Sequence, residues 1–241
     1  LFLFYPLVYV FNKSFIVNGR PTLEFFELLF KSPALRESIG NSLMIAAAVT
    51  LLSAALGLAF AWLLSRADLP AKGLWSNLLL FPLILPPFVG AIGIRYVFGR
   101  FGMINILLMK AGIISEMNPI DWLGSPFWGV VILETLHLFP IMLLNISGSF
   151  TLMDPSLEDA ARSLGARSAA LFRTVTAPLL MPGFFAGASI VFIWAMTDLG
   201  TPLLFEYRAV APVQIFNAVQ ATQENALGYA LVVAVLLITA A

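Results

Sequence analysis

Long apolar runs separated by shorter polar segments constrain this chain more than any other feature of its sequence. A helix that crosses the hydrocarbon layer of a membrane needs about 20 mostly apolar residues. Runs of that order predict about six membrane spans, with the first and last truncated, at about 1–17, 38–64, 74–98, 127–150, 183–205 and 227–241. The composition agrees, with 60% hydrophobic and 11% charged residues, whereas globular domains average about 45–50% and 25%. The sequence therefore predicts an all-α, polytopic membrane protein.

Composition also excludes several classes of function. The formal net charge is zero, so the chain offers no basic surface for nucleic acid. It contains no cysteine, which excludes disulfides, thiol catalysis and cysteine metal sites. No G-x-x-x-x-G-K-[ST] loop for nucleotide phosphates is present. We therefore predict a non-enzymatic chain that binds no cofactor and no metal of its own, with ATP and Mg²⁺ on a partner if transport uses ATP.

One polar segment, at about 153–182, carries helix signals at both ends. Asp154 before Pro155 is typical of an N-cap and a first helical residue, and Ser156 with Asp159 also fits a capping pattern. Gly165 stands where a left-handed turn ends a helix. Residues of one apolar face follow helical spacing, namely Leu157, Ala160, Ala161 and Leu164.

A second short helix is predicted at about 167–176, ending before Ala177-Pro178. Two short helices joined at a glycine therefore interrupt the predicted spans. Amphipathic helices of this kind often lie on the membrane surface, so the segment alone leaves open whether it contacts lipid or a partner protein.

The spacing within this segment resembles the signature loop of permease subunits of binding-protein-dependent ABC importers. That signature reads Glu-Ala-Ala, three residues, Gly, nine residues, Ile-x-Leu-Pro. Here Asp159-Ala160-Ala161 is followed at the same intervals by Gly165 and by Val175-Thr176-Ala177-Pro178. Asp159 replaces the Glu, since Glu158 is one residue early, and Ala177 replaces the Leu.

The resemblance implies that 153–182 is a coupling loop whose helix docks on a cytoplasmic ATPase. The residues implied in this coupling are Glu158, Asp159, Ala160, Ala161, Gly165, Val175 and Pro178. It further implies one permease domain over 1–241, similar to the methionine and molybdate permeases and located in the bacterial inner membrane, where it contacts lipid. The implied partners are two ATPase subunits, a periplasmic or lipid-anchored solute-binding protein, and a second permease unit that is identical, different or fused. The orientation rests on this resemblance, because the Lys and Arg distribution does not settle it.

Three ionisable residues within or near predicted spans are candidates for the translocation path: Glu134, His137 and Asp198. A charge inside the membrane costs at least ~2.5 kcal/mol, so such residues usually face a cavity or a partner. Glu134 and His137 share a helix face, and metal ligation, cavity lining, interhelical hydrogen bonding and a structural role all remain open. Asp198 is either an intramembrane polar site or a helix terminus at the interface.

The substrate is predicted from a second resemblance. Asp198-Leu-Gly-Thr-Pro202 and Thr135-Leu-His-Leu-Phe-Pro140 resemble the iron(III), polyamine and aminoethylphosphonate branch of these permeases. That branch implies iron(III) or a related small solute such as a polyamine, aminoethylphosphonate or thiamine. Two alternatives remain: an ion-coupled secondary transporter that uses Glu134, His137 and Asp198, and a membrane scaffold whose polar loop recruits a cytoplasmic partner.

Overall fold

The chain folds almost entirely into helices in a computed structural model that describes residues 4–17, 20–220 and 226–240. The helices are α1 (Phe4–Phe15), α2 (Glu24–Lys31), α3 (Pro33–Arg66), α4 (Lys72–Leu80), α5 (Pro87–Phe98), α6 (Met103–Lys110), α7 (Pro126–Leu152), α8 (Pro155–Ser163), α9 (Ser168–Leu171), α10 (Ala177–Thr197), α11 (Gly200–Leu204), α12 (Ala211–Gln220) and α13 (Ala226–Ala240). A 3₁₀ turn spans Phe81–Leu83 and a π turn spans Phe172–Thr176. Strands β1 (Ile16–Val17) and β2 (Arg20–Pro21) pair antiparallel. The all-α expectation is confirmed.

Four helical stretches among the described residues are long and apolar enough to cross a membrane: Pro33–Arg66, Pro87–Lys110, Pro126–Leu152 and Ser168–Thr197. The sequence predicts about six spans, and the helices at the first and the last of these are too short to cross a membrane. Helix α1 has 12 residues and α13 has 15. Residues 1–3 and 241 of the predicted first and last spans lie outside the described residues.

The predicted third span, at about 74–98, is divided differently in the structure. Helix α4 and the 3₁₀ turn end before Pro86, and α5 begins at Pro87. Neither proline has an amide hydrogen to donate to the preceding turn, so the helix stops there. The stretch long enough to cross a membrane therefore runs through α5 and α6, not through α4.

The predicted fifth span, at about 183–205, begins and ends later in the sequence than the helix that the structure forms. The helix is continuous from Ser168 to Thr197, and Pro178 does not end it, contrary to the prediction. The π turn lies directly before Pro178, and the helix passes through it with the Ala177 amide bonded to the Phe172 carbonyl. Asp198 starts a new turn that leads into α11.

Contacts between Cα atoms divide the chain into two compact units, and the division falls within α3, α7 and α10. The first unit contains residues 1–47, 87–133 and 193–241. In it α13 packs against α1, α2 and α12, and α5 packs against α6 and α11. Aromatic pairs mark these contacts, with ring centroids 6.0 Å apart for Tyr9 and Tyr229 and 4.9 Å apart for Phe15 and Phe26.

The second unit contains residues 48–86 and 134–192, and its helices approach closely at glycines. A Cβ placed on Gly57 of α3 would lie 2.6 Å from the Met142 Cβ of α7. A Cβ on Gly183 of α10 would collide with the Asn145 carbonyl and the Ser149 hydroxyl. The Gly183 amide also donates to Ser149 Oγ at 3.1 Å. Close packing at small residues is the usual way in which membrane helices associate, and it fixes the ends of α3, α7 and α10 that carry the candidate site.

Candidate functional site

The coupling segment, residues 153–176 as the structure forms it, begins with a capped helix. Asp154 is the N-cap of α8, and its Oδ1 accepts the Ser156 amide at 2.9 Å. Hydrogen bonds from Ser156 hold the pKa of the Asp154 carboxyl below its usual value. Pro155 occupies the first helical position. The predicted cap at Asp154 is confirmed, whereas the alternative pattern from Ser156 is wrong, because Ser156 already lies inside the helix.

Gly165 ends α8 in a left-handed conformation with φ +86°. The Gly165 amide donates to the Arg162 carbonyl at 2.9 Å, and the Ala166 amide donates to the Ala161 carbonyl at 3.0 Å. This pair of bonds is the Schellman arrangement, in which glycine avoids the Cβ clash of the left-handed region. The turn predicted at Gly165 is confirmed.

Glu158 is buried inside the coupling segment, with 3% of its surface exposed. Its Oε1 accepts hydrogen bonds from the Arg66 guanidinium at the end of α3 and from Thr176 Oγ1, the latter at 2.8 Å. Arg162, one turn along α8, places Nη2 3.8 Å from Glu158 Oε2. This Glu158 cluster, meaning Glu158, Arg66, Arg162 and Thr176, joins α8, α3 and the π turn. All four residues belong to the second unit.

The electrostatics of the Glu158 cluster favour the carboxylate. Burial raises the pKa of Glu158, but the hydrogen bonds from Arg66 and Thr176 and the charges of Arg66 and Arg162 outweigh it. The net effect is a pKa below the usual value. An ionised carboxylate is tolerated at a buried position only when it is paired and hydrogen-bonded in this way.

The opposite face of α8 is exposed and partly apolar. Leu157 is 46% exposed and Leu164 is 89% exposed, and Ala160 lies on the surface beside them. Asp159 is also exposed, 3.9 Å from Arg162 Nη1. Ala161 is half-buried. A short helix that shows leucines and alanines to its surroundings, while its one buried carboxylate points into its own chain, has the form of a docking surface.

The second half of the coupling segment enters the membrane helix without a break. The Ala177 amide donates to the Phe172 carbonyl, which defines the π turn. Val175 is half-buried and Pro178 is exposed. π turns are rare and are found frequently at functional sites. Here the turn places the Thr176 hydroxyl on Glu158.

The structure gives His137 a specific partner. Its Nδ1 lies 2.9 Å from the Pro82 carbonyl oxygen. In a continuing α-helix that carbonyl would accept the amide of residue 86, which is a proline, so the ring donates in its place. Glu134, one turn earlier on α7, is 4% exposed. Within the described residues no group of three or more metal-ligating side chains comes together.

Asp198 belongs to the first unit and serves a helix start there. Its Oδ1 accepts the Gly200 amide at 3.2 Å and its Oδ2 accepts the Thr201 amide at 2.9 Å. This geometry places Asp198 at a break between two helices, which fits either of the two interpretations left open by the sequence. Whether Glu134, His137 and Asp198 line a translocation path stays a prediction.

Residues 198–211, the return segment, are held by side chains of two helices. Asn41 of α3 donates to the Ala209 carbonyl at 2.8 Å, and Ser42 Oγ accepts the Ala211 amide at 2.9 Å. Arg95 of α5 donates to the Leu204 carbonyl at 2.5 Å. These partners share the first unit with the segment.

A pocket of about 630 Å³ lies beside Leu204 in the first unit, and its mainly apolar lining includes two arginines. Arg95, Tyr96 and Arg100 contribute its polar groups, and no carboxylate is among its lining residues. Arg95 lies 3.8 Å from Glu206 and Arg100 lies 3.6 Å from Asp121, in exposed ion pairs. Exposed pairs of this length contribute little, and Arg95 is also held by its hydrogen bond to the Leu204 carbonyl.

Sequence reasoning missed Arg66 and Thr176. Arg66 stands 92 residues from Glu158 along the chain, at the end of a predicted span where a cation is ordinary. Thr176 is the variable position of the Val-Thr-Ala-Pro motif. No local signal singles out Glu158, because neighbouring residues of a helix lie about 100° apart and two adjacent carboxylates can both face the surroundings.

Comparison with known proteins gives a family match over most of the chain. Residues 53–241 match the family described as the binding-protein-dependent transport system inner membrane component. The matched range contains the whole coupling segment and the cavity beside Leu204.

Relatives named for molybdenum transport and for ferric transport are both similar to this chain. The molybdenum transport system permease protein ModB of Mycobacterium tuberculosis is 32% identical over 180 residues, covering 75% of this chain and 65% of the relative. The ferric transport system permease protein FbpB of Actinobacillus pleuropneumoniae is 28% identical over 203 residues, covering 84% of this chain and 29% of the relative. The chain thus spans less than two thirds of either relative.

The fold also matches a solved structure. A bacterial alginate ABC transporter in complex with alginate pentasaccharide-bound periplasmic protein contains a chain that superimposes with a TM-score of 0.74. The two chains are 17% identical, and the match covers 100% of this chain and 86% of the other. At this identity the likeness concerns the fold.

Proposed function

This chain belongs to the family of inner membrane components of binding-protein-dependent transport systems, and we propose that it is the permease subunit of an ABC importer. In this family the membrane subunit is non-catalytic, and a separate ATPase hydrolyses ATP. The chain would form part of the translocation path and couple it to that ATPase. The spacing of Asp159, Gly165 and Pro178, which resembles that of the permease signature loop, supports this proposal.

The exposed face of α8 carries this proposal. Leu157, Ala160 and Leu164 present an apolar surface that the described residues of this chain leave uncovered, and the Gly165 turn limits its length. An amphipathic helix of this kind binds by laying its apolar face into a groove on a partner. Small alanine side chains keep the helix narrow enough to enter one. Asp159 and the half-buried Ala161 would border the contact.

We propose the following partners on the same basis. Two ATPase subunits would each receive one coupling segment, and a second permease unit would complete the path. A periplasmic or lipid-anchored solute-binding protein would deliver the substrate. ATP-driven closure of the ATPase pair would move the two coupling segments together and switch the bundle between inward-facing and outward-facing states, as a rigid-body transition.

A molybdenum oxyanion is the first candidate substrate. The relative named for molybdenum transport is 32% identical, against 28% for the ferric one. The cavity lined by Arg95, Tyr96 and Arg100 also suits an anion, because guanidinium groups bind oxyanions through paired hydrogen bonds. Iron(III) is the second candidate, supported by the ferric relative and by the motifs at Thr135–Pro140 and Asp198–Pro202.

The ion-coupled alternative gains no comparable support. The His137 ring donates to the Pro82 carbonyl, and Asp198 accepts two backbone amides. Both groups are therefore engaged in holding helix ends, which is a structural task.

Uptake by the complete importer, with and without ATP, tests the function. Proteoliposomes that contain the full-length chain with its ATPase and binding protein should accumulate radioactive molybdate only when ATP is present on the side of the membrane that carries the ATPase. The Arg100→Gln variant should raise the substrate concentration for half-maximal uptake several-fold, whereas Arg36→Gln, an exposed arginine of α3, should not. Uptake of iron(III) but not of molybdate would select the second candidate. Uptake driven by a proton gradient in the absence of ATP would refute the proposal.

A further inference from the structure

We propose that the Glu158 cluster is a mechanical clamp through which movement of α8 reaches membrane helix α3. Glu158 would then act as a positioning residue inside the permease, with Arg66 and Thr176 as its partners. This inference rests on the proposed function, because it concerns how the coupling segment transmits motion. It assigns the transmission to residues that do not face the ATPase.

The first support is the position of Glu158. On a helix whose other polar residues are exposed, this carboxylate is turned inward and is 3% exposed. An ATPase that covers Leu157 and Leu164 would therefore leave Glu158 untouched. Its neighbour Asp159, which stands at the signature position, has a side chain that is 75% exposed. Two adjacent carboxylates thus point to different sides, one to the surroundings and one to α3.

The second support is that one oxygen atom joins three elements. Glu158 Oε1 on α8 accepts hydrogen bonds from Arg66, the last residue of α3, and from Thr176 in the π turn before α10. Hydrogen bonds to an ionised group are short and directional. A displacement of α8 therefore pulls on the ends of α3 and α10 at the same point.

The third support is that Arg66 is itself fixed. Its guanidinium lies 5.3 Å from the centre of the Trp62 indole, one turn back along α3. Trp62 in turn packs edge-on against Phe172 of the π turn, with ring centroids 5.5 Å apart, and against Phe150 of α7 at 6.0 Å. The clamp thus has a polar side at Glu158 and an aromatic side at Trp62. Glu158 joins α8 to α3, and Trp62 joins the same end of α3 to the π turn and to α7.

A charged clamp has a consequence that an apolar contact would lack. An apolar patch can slide, because its attraction does not depend on direction. Separation from Arg66, which is partly exposed, would leave the buried Glu158 carboxylate without its principal partner, and this disfavours partial opening. The clamp therefore keeps α8 and the end of α3 together while both move.

The test compares coupling with hydrolysis in the complete importer, with molybdate as the probe. In the Glu158→Gln variant we expect uptake per ATP hydrolysed to fall at least tenfold, while ATP hydrolysis stays within about twofold of the parent. The exchanged pair, Glu158→Arg with Arg66→Glu, should recover a substantial part of the lost coupling. Glu27→Gln is the matched control, since Glu27 is an exposed carboxylate paired with Lys31 at 3.3 Å in α2, and it should change neither quantity.

A distance measurement keeps the clamp testable if the variant does not assemble. These 241 residues contain no cysteine, so Leu63→Cys on α3 and Ser163→Cys on α8 can carry spin labels in an importer whose other cysteines have been replaced. In this importer we expect one narrow distance that is the same with and without ATP. A distance that broadens or shifts with ATP would overturn the clamp, as would full coupling in Glu158→Gln. Absence of ATP-dependent uptake in the parent importer would instead refute the proposed function, so the two failures are distinguishable.

Discussion

The coupling segment and the return segment are both polar interruptions between membrane helices, yet they are attached in different ways. The coupling segment is attached through side-chain charge, at the buried carboxylate of Glu158. The return segment is attached mainly through its backbone, by Asn41, Ser42 and Arg95. The coupling segment is thus held at a buried charge with an aromatic contact beside it, whereas the return segment is held by bonds distributed along its backbone.

This difference indicates different tasks. A helix held on one face by a buried charge can move together with the end of α3 and can keep its other face free for a partner. A segment held at several backbone groups, here the Leu204 and Ala209 carbonyls and the Ala211 amide, resists displacement as a whole. We expect substitutions at the coupling segment to change transport strongly, and substitutions at the return segment to change stability in small increments.

The largest effect should come from the free face of α8. Leu164→Asp places a charge on a side chain that is 89% exposed, so the isolated permease should keep its stability. Docking of α8 into an apolar groove would bury that charge without a partner, and we expect at least a tenfold loss of uptake and of ATPase co-purification. Met117→Asp, at a side chain that is 97% exposed in the first unit, is the control. Equal loss in both variants would contradict the docking surface.

The next largest effect should come from Arg66→Ala. Removing the guanidinium leaves Glu158 buried without its principal partner, and breaking a buried pair costs about 3–5 kcal/mol. Because Arg66 is 34% exposed, we expect about 1–3 kcal/mol in the free energy of unfolding, measured by denaturant titration in micelles. Lys31→Ala, which removes an exposed pair with Glu27, should cost less than about 0.5 kcal/mol. A similar small loss for both would contradict the Glu158 cluster as the attachment point.

A smaller effect is expected at the return segment. Asn41→Ala removes the bond to the Ala209 carbonyl and Ser42→Ala removes the acceptor of the Ala211 amide. Each should lower the free energy of unfolding by about 1 kcal/mol, and neither should change ATP hydrolysis per molecule transported. Loss of coupling in either variant would show that this segment also transmits motion.

The smallest effect should appear on acidification. The pKa of Glu158 is below its ordinary value of 4.5, so its contribution to stability is present above about pH 4.5. That contribution is lost as the pH falls through the lowered pKa. The difference in thermal stability between the parent and Glu158→Gln should therefore shrink below pH 4.5 and stay constant above it. The Asn41→Ala difference should show no such dependence.

Local signals allowed the ends of the coupling helix to be predicted. Asp154 before Pro155 and the glycine at 165 act within one helical turn, so the sequence is enough to predict them. The sequence also indicates a break at Pro86 and Pro87, since two adjacent prolines remove two backbone donors. The sequence does not show where the third span begins and ends, because that depends on whether the residues before or after the break continue towards α6.

Long-range partners were beyond sequence reasoning. Nothing near Glu158 indicates that it pairs with Arg66, and nothing near His137 indicates the Pro82 carbonyl as its partner. The continuation of the helix through Pro178 depends on the π turn, whose hydrogen bonding is not encoded by a local pattern. These features arise from packing between segments far apart in the chain, and they are the ones that define the candidate site.

The central claim is that α8 has one face held by its own chain and one face covered by an ATPase. Cysteine labelling tests it directly, because the natural chain has no cysteine. Leu164→Cys should react rapidly with a maleimide in the isolated permease and become protected when the ATPase is bound, whereas Met117→Cys should react equally in both. Equal reactivity of Leu164→Cys with and without the ATPase would contradict the claim.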